Sequence, residues 1–180
     1  TIKPLHLLWG KIVGIGLMAF AQVLLLGGTA LIAALATDVL DVPSAAGSMF
    51  LAVVVWFVLG FLFFATLYAA TGAVVSRQEE LGSSSAPLTI LAMAVLYSGY
   101  FGISALDTRL MEILAWIPPF SASLMPIRIA TGDASVFQVI GTLVLMIIAC
   151  VVAAWLAARI YQRNILRTGA RVKWMEAIKG

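Results

Sequence analysis

ASVFQVIGTLVLMIIACVVAAWLAA, residues Ala134–Ala158, decides the fold. The stretch carries no Asp, Glu, Lys or Arg. It exceeds the roughly 20 apolar residues a helix needs to cross the hydrocarbon core of a bilayer. It also lacks the charged face that a surface helix of a soluble domain would present. Ile12–Thr37, Val42–Ser76 and Leu81–Leu106 are uncharged in the same way. The whole chain is 63% hydrophobic and 11% charged, against about 25% charged in a soluble domain. The sequence therefore predicts an all-α protein, a polytopic transmembrane helical bundle with four spans.

The basic residues orient it, because Lys and Arg concentrate on the cytoplasmic side of a membrane. If the four runs cross in turn, nine basic residues share one side: Lys3, Lys11, Arg77, Arg159, Arg163, Arg167, Arg171, Lys173 and Lys179. Arg109 and Arg128 fall on the other. Both termini are thus expected in the cytoplasm. The chain reads as a single transmembrane domain over 1–180, with spans at about 11–36, 49–75, 86–105 and 135–158. Thr37–Ser48 reads as an external loop and Ser76–Ser85 as a cytoplasmic one, with Pro87 in the first turn of the third span. Residues 159–180 form a cytoplasmic basic tail. The segment 107–133 is apolar but broken by Pro118, Pro119 and Pro126. Proline interrupts a continuous helix, and the uncharged piece Ile113–Ile127 is short for a span. Two short helices that enter the outer leaflet and return are expected, an external proline-broken re-entrant hairpin covered by protein or a wet cavity.

Small residues recur every fourth position at Gly10 and Gly14, at Ala65, Ala69 and Ala73, and at Ala149, Ala153 and Ala157. Such stripes let helices approach closely, most often within one chain and sometimes between subunits. Thr89, Met93, Tyr97, Tyr100 and Ser104 share one helical face of the third span. That face is a candidate substrate pathway; the plainer reading is local hydrogen bonding and interfacial anchoring by tyrosine. Gln22 and Gln138 are the most polar side chains inside the spans and read as interhelical hydrogen-bonding groups. No ionisable residue lies deep in a span, which disfavours a proton-coupled carrier or a voltage sensor. Catalytic motifs, a Walker A sequence and a Cys/His metal set are lacking. An intramembrane enzyme is therefore disfavoured, and nothing points to a metal or a nucleic-acid partner.

The order of four stretches resembles the membrane subunits of type-2, NatB-like ABC exporters. They are Lys3-Pro4-Leu5-His6-Leu7-Leu8-Trp9-Gly10-Lys11; Ser76-Arg77-Gln78-Glu79-Glu80 with Pro87 beyond; Ile117-Pro118-Pro119-Phe120-Ser121 followed by Met125-Pro126-Ile127-Arg128 and Gly132-Asp133; and the tail Gly169-Ala170-Arg171-Val172-Lys173. The third is the most specific. Ala122 and Ala170 depart from the usual Pro and Lys of the family. The resemblance implies the C-terminal four-span portion of a permease, and the chain opens on Thr1 rather than Met, as a piece of a longer chain does. It implies a plasma-membrane protein of a bacterium or archaeon that exports an ion, drug, peptide or lipid. It implies a second permease subunit, homo- or heterodimeric, a lipid surround and a separate ATP-binding subunit. ATP and magnesium would sit on that ATPase, with no cofactor in this chain. By the same resemblance Lys3, Lys11, Arg77, Glu79 and Glu80 would face the ATPase. The face with Tyr97 and Tyr100 would look toward the central cavity. Pro118, Pro119, Phe120, Ser121, Met125, Pro126 and Arg128 would form the external gate region. The alternative is a membrane structural or assembly subunit that transports nothing.

Overall fold

A computed structural model describes residues 4–37, 46–75 and 78–164. Six helices follow in order: α1 Pro4–Thr37, α2 Ala46–Val74, α3 Gln78–Gly102, α4 Arg109–Trp116, α5 Pro118–Thr131 and α6 Val136–Asn164. All regular structure among the described residues is helical. Helices α1, α2, α3 and α6 are long and apolar enough to cross a membrane, over Gly10–Ala33, Met49–Val74, Glu79–Gly102 and Val136–Ile160. Inside lipid a helix satisfies its own backbone polar groups, which is why uncharged runs of this length take that form. Their outer surfaces are oily: Met18, Leu26, Val136 and Phe137 all point outward. Water would penalise such a surface heavily, whereas lipid accepts it.

Helix α2 is the hub, with α1, α3, α5 and α6 packed around it. Ala153 and Ala157 of α6 are buried, and Ala157 packs with Ala70, Val74 and Ile160. Small side chains thus bring α6 close to α2 within one chain. Gly10 and Gly14 differ, with nothing within 4 Å of where a Cβ would stand. Helix α1 runs antiparallel to α2: Gly16 sits against the ring of Phe61 and Gly27 against the ring of Phe50. Both spacings are eleven residues, so the register holds for about three turns. A second core joins Ala52, Trp56, Met111, Ala115, Leu124 and Met125, where α2 meets the two short helices.

Helix α3 begins earlier than the sequence predicts. Gln78–Ser85, expected to be loop, is helical, and Pro87 lies inside the helix rather than in its first turn. Glu79 and Glu80 occupy that first turn, where the helix dipole favours negative charge. Ser83 and Ser85 donate to the carbonyls of Glu80 and Leu81, so their hydroxyls are satisfied within the helix. The polar composition of the stretch suggested a turn; its acidic start and local serine bonds support a helix. Lys3, Arg77, the residues 38–45 and the tail 165–180 lie outside the described residues.

Candidate functional site: the docked hairpin and the face of α3

The proline-broken hairpin is α4 and α5, joined at Ile117. Ile117 precedes a proline and is extended, at φ −83° and ψ 121°, as the proline ring requires of the residue before it. Pro118 and Pro119 open α5, where a missing N–H leaves no bond unmade. Phe120 and Ser121 donate their backbone N–H to the Ile117 carbonyl at 3.0 and 2.9 Å. Pro126, inside α5, removes one further helical bond. Gly132, at φ 80°, closes the helix in the left-handed region.

The hairpin is wedged among the spans, with α5 packed on α2, α3 and α6. Ser121, Leu124 and Met125 are fully buried. Ser121 donates to the Pro118 carbonyl and points at the sulfur of Met146. From Val136 to Met146 the helical rise is about 15 Å, so the hairpin reaches roughly half the depth of a hydrocarbon core. Broken backbone at that depth needs protein around it, and three spans supply it. Glycines make the seat. A Cβ at Gly60 would come within 2.9 Å of the Ala122 Cβ, and one at Gly102 within 2.7 Å of Leu124. Gly99 faces Ser123 at 3.1 Å, and Gly141 faces the Trp116 ring at 2.6 Å. The hydroxyls of Ser98 and Ser123 lie 3.2 Å apart and bond across α3 and α5. Sequence reading missed these glycines. Their signal was glycine in long apolar helices, where alanine is the better helix former.

Arg128 ties the base of the hairpin. Its Nη1 donates to the Leu106 carbonyl at 3.0 Å and its Nη2 to the Asp133 carbonyl at 3.1 Å. The Ala134 N–H donates to the carbonyl of Arg128 itself at 3.1 Å. One guanidinium therefore joins the chain entering the hairpin to the chain leaving it. The side chain is 6% exposed, and its Nε has no partner among the described residues. Carbonyl dipoles oppose the burial cost of its charge. The carboxylate of Asp133 is turned to the Thr131 hydroxyl instead. The indole N–H of Trp56 and the amide nitrogen of Gln138 are likewise buried without a partner among the described residues. Gln22 is exposed, so among the described residues the amide nitrogens of the two glutamines, expected to bond between helices, meet no partner on another helix. Pro118, Pro119, Phe120, Ser121, Met125, Pro126 and Arg128 all come together on this one docked element.

The opposite side of α3 is open. Val95, Ser98, Gly99 and Gly102 face the bundle. Thr89, Met93, Tyr97 and Tyr100 face outward, Tyr100 at 70% exposure, whereas Ser104, expected on the same helical face, is exposed in the turn that follows the end of α3 at Gly102. Thr89 bonds the Tyr68 hydroxyl at 3.2 Å, and Phe101 stacks with Tyr97 and meets Tyr100 edge-on. Among the described residues, nothing covers that aromatic strip. The antiparallel register of α1 on α2 places the start of α1 beside the end of α2, close to the start of α3. Lys11 and Glu79 are exposed at that end of the bundle and Glu80 is half-buried there. The hairpin base, tied to Leu106 just after α3, sits at the other.

Comparison with known proteins adds a family. The profile of a family described as "ABC-2 family transporter protein" matches residues 1–159. The chain is similar to the uncharacterized protein YhaP of Bacillus subtilis (strain 168), at 26% identity over 179 aligned residues that cover 94% of this chain. The chain spans 43% of the length of that relative. No solved structure matches.

Proposed function

The chain belongs to the ABC-2 family of transporter proteins, and from that premise we propose that it is the permease portion of an exporter powered by a separate ATPase subunit. The membership makes it an integral membrane transport component rather than a catalyst. The observation that carries the finer reading is the docked hairpin, which closes one end of the bundle with protein and leaves the α3 strip uncovered. Thr89 is bonded within the bundle, but beside lipid the exposed hydroxyls of Tyr97, Tyr100 and Ser104 would lie where partners are scarce; Met93 shares their side of the bundle. Facing a second permease copy across a central cavity, the same groups meet water and cargo. Lys11, Glu79 and Glu80 share the end of the bundle where, on this reading, an ATPase docks, and Lys3 and Arg77 belong to the same proposed contact by their place in the sequence. The hairpin, with Pro118, Pro119, Phe120, Ser121, Met125, Pro126 and Arg128, forms the external seal. It is carried as one body with α2, α3 and α6. The nine-to-two distribution of basic residues supports cytoplasmic termini in a plasma membrane.

Purification of the full-length protein from its native membrane in mild detergent tests this reading. An ATP-binding subunit bearing a Walker A sequence should co-purify in stoichiometric amount and hydrolyse ATP. Isolation without any such subunit counts against the exporter. In the reconstituted complex, Tyr97→Ala and Tyr100→Ala should alter ATP turnover while folded yield stays constant. Unchanged turnover in both would remove the pathway assignment.

A further inference from the structure

Three buried donors near the base of the hairpin lack an acceptor. The indole N–H of Trp56, the Nε–H of Arg128 and the side-chain amide of Gln138 have no partner among the described residues. Their side chains are 3, 6 and 5% exposed. Contacts between helices set their depth. Gly60 lies against Ala122, and Ser121 against Met146. Helices α2 and α6 run the same way, with Leu59 beside Cys150 and Ala70 beside Ala157; α5 runs against them. Counted from the first two contacts, Trp56 lies about 6 Å, Arg128 about 10 Å and Gln138 about 12 Å toward the base, a spread of about one helical turn. Side chains lean toward the N-terminus of their helix. That carries Trp56 toward the base and Arg128 away from it, so the two lean toward each other. Trp56 packs with Leu124 and Met125, and Ile129 and Val139, next in the chain to Arg128 and Gln138, pack on the same cluster. Charge is unmatched here as well as hydrogen bonding. Arg128 meets two neutral carbonyls, the Asp133 carboxylate is held by Thr131, and no carboxylate pairs with Arg128 among the described residues. Buried charges are ordinarily paired. A water molecule would accept from these donors, but it carries two protons of its own and no charge. An anion accepts from several directions and neutralises the guanidinium. The tight glycine seat of the hairpin favours a monatomic ion over a bulkier one. We infer that Trp56, Arg128 and Gln138 form a site for a small inorganic anion of halide type, which ties α2, α5 and α6 together at the hairpin base.

The test follows the thermal midpoint of the full-length protein in mild detergent as chloride replaces gluconate at constant ionic strength. A roughly hundredfold rise in chloride should raise the midpoint by about 5 °C, with saturation. Trp56→Phe keeps an aromatic ring and removes the N–H. It should need about tenfold more chloride for half the rise, as for loss of one hydrogen bond to a charged group. Gln138→Glu brings a carboxylate from the chain itself, and should hold the midpoint near its chloride-saturated value at every concentration. A midpoint indifferent to chloride, with Trp56→Phe destabilising all the same, would give the three donors to water and overturn the inference. An equal chloride response in the wild-type protein and both variants would be a general salt effect and would overturn it too. So would a response that appears only in Asp38→Asn or Asp41→Asn, because a carboxylate of the chain would then fill the place.

Discussion

Arg128 shows how one side chain can hold an interrupted backbone in place. Its two carbonyl contacts are charge-assisted bonds of about 1.5–3 kcal/mol each. Arg128→Met should lower stability by about 3 kcal/mol, read as an earlier thermal transition in detergent. Arg128→Lys should fall between, because a point charge cannot span two carbonyls as a planar fork does. Equal melting of all three would show that the fork holds nothing. The glycines allow a sharper contrast. Alanine in place of glycine strengthens an isolated helix by up to about 1 kcal/mol. At Gly27 the new methyl meets the edge of the half-buried Phe50 ring, which can turn aside, so Gly27→Ala should be neutral or stabilising. At Gly60 it meets the Cβ of Ala122, which moves only with the α5 backbone. Gly60→Ala should therefore lose about 1–3 kcal/mol by overpacking. Thermal melts of the pair decide it, and the reverse order would contradict the seating of the hairpin.

At the scale of the element, the hairpin is a docked unit held by bonds to two of the spans and by glycine contacts on three. Ser98→Cys with Ser123→Cys, made with Cys150→Ser, should cross-link nearly completely on mild oxidation with no loss of folded yield, as read by gel mobility and elution profile. A persistently reduced pair would show that α5 leaves its seat. The existence of the two short helices was legible in the sequence, because Pro118 and Pro119 break an apolar run that is too short to span. What holds them was not: a glycine at 60, 99, 102 or 141 acquires meaning only when α5 lies against it. The start of α3 was misread for a related reason. Serines at 83–85 resemble a turn in composition, yet a helix can satisfy each hydroxyl at its own carbonyls. Positions of spans follow from the absence of charge, a property of the sequence alone; pairing of faces depends on which helices meet.

The molecule as a whole is an oily bundle whose two ends differ. One end gathers the start of α1, the end of α2, the start of α3 and the end of α6; the hairpin base with Arg128 and Asp133 occupies the other. The account stands on that polarity, since ATPase docking and the external seal both follow from it. Labelling of single cysteines in a Cys150→Ser background tests it most directly. Asp133 and Ser83 are both exposed, so Asp133→Cys and Ser83→Cys perturb no buried contact through their side chains. A membrane-impermeant maleimide should modify Asp133→Cys in intact cells and reach Ser83→Cys only after permeabilisation. Labelling of Ser83→Cys from outside, with Asp133→Cys protected until the membrane is opened, would contradict the account.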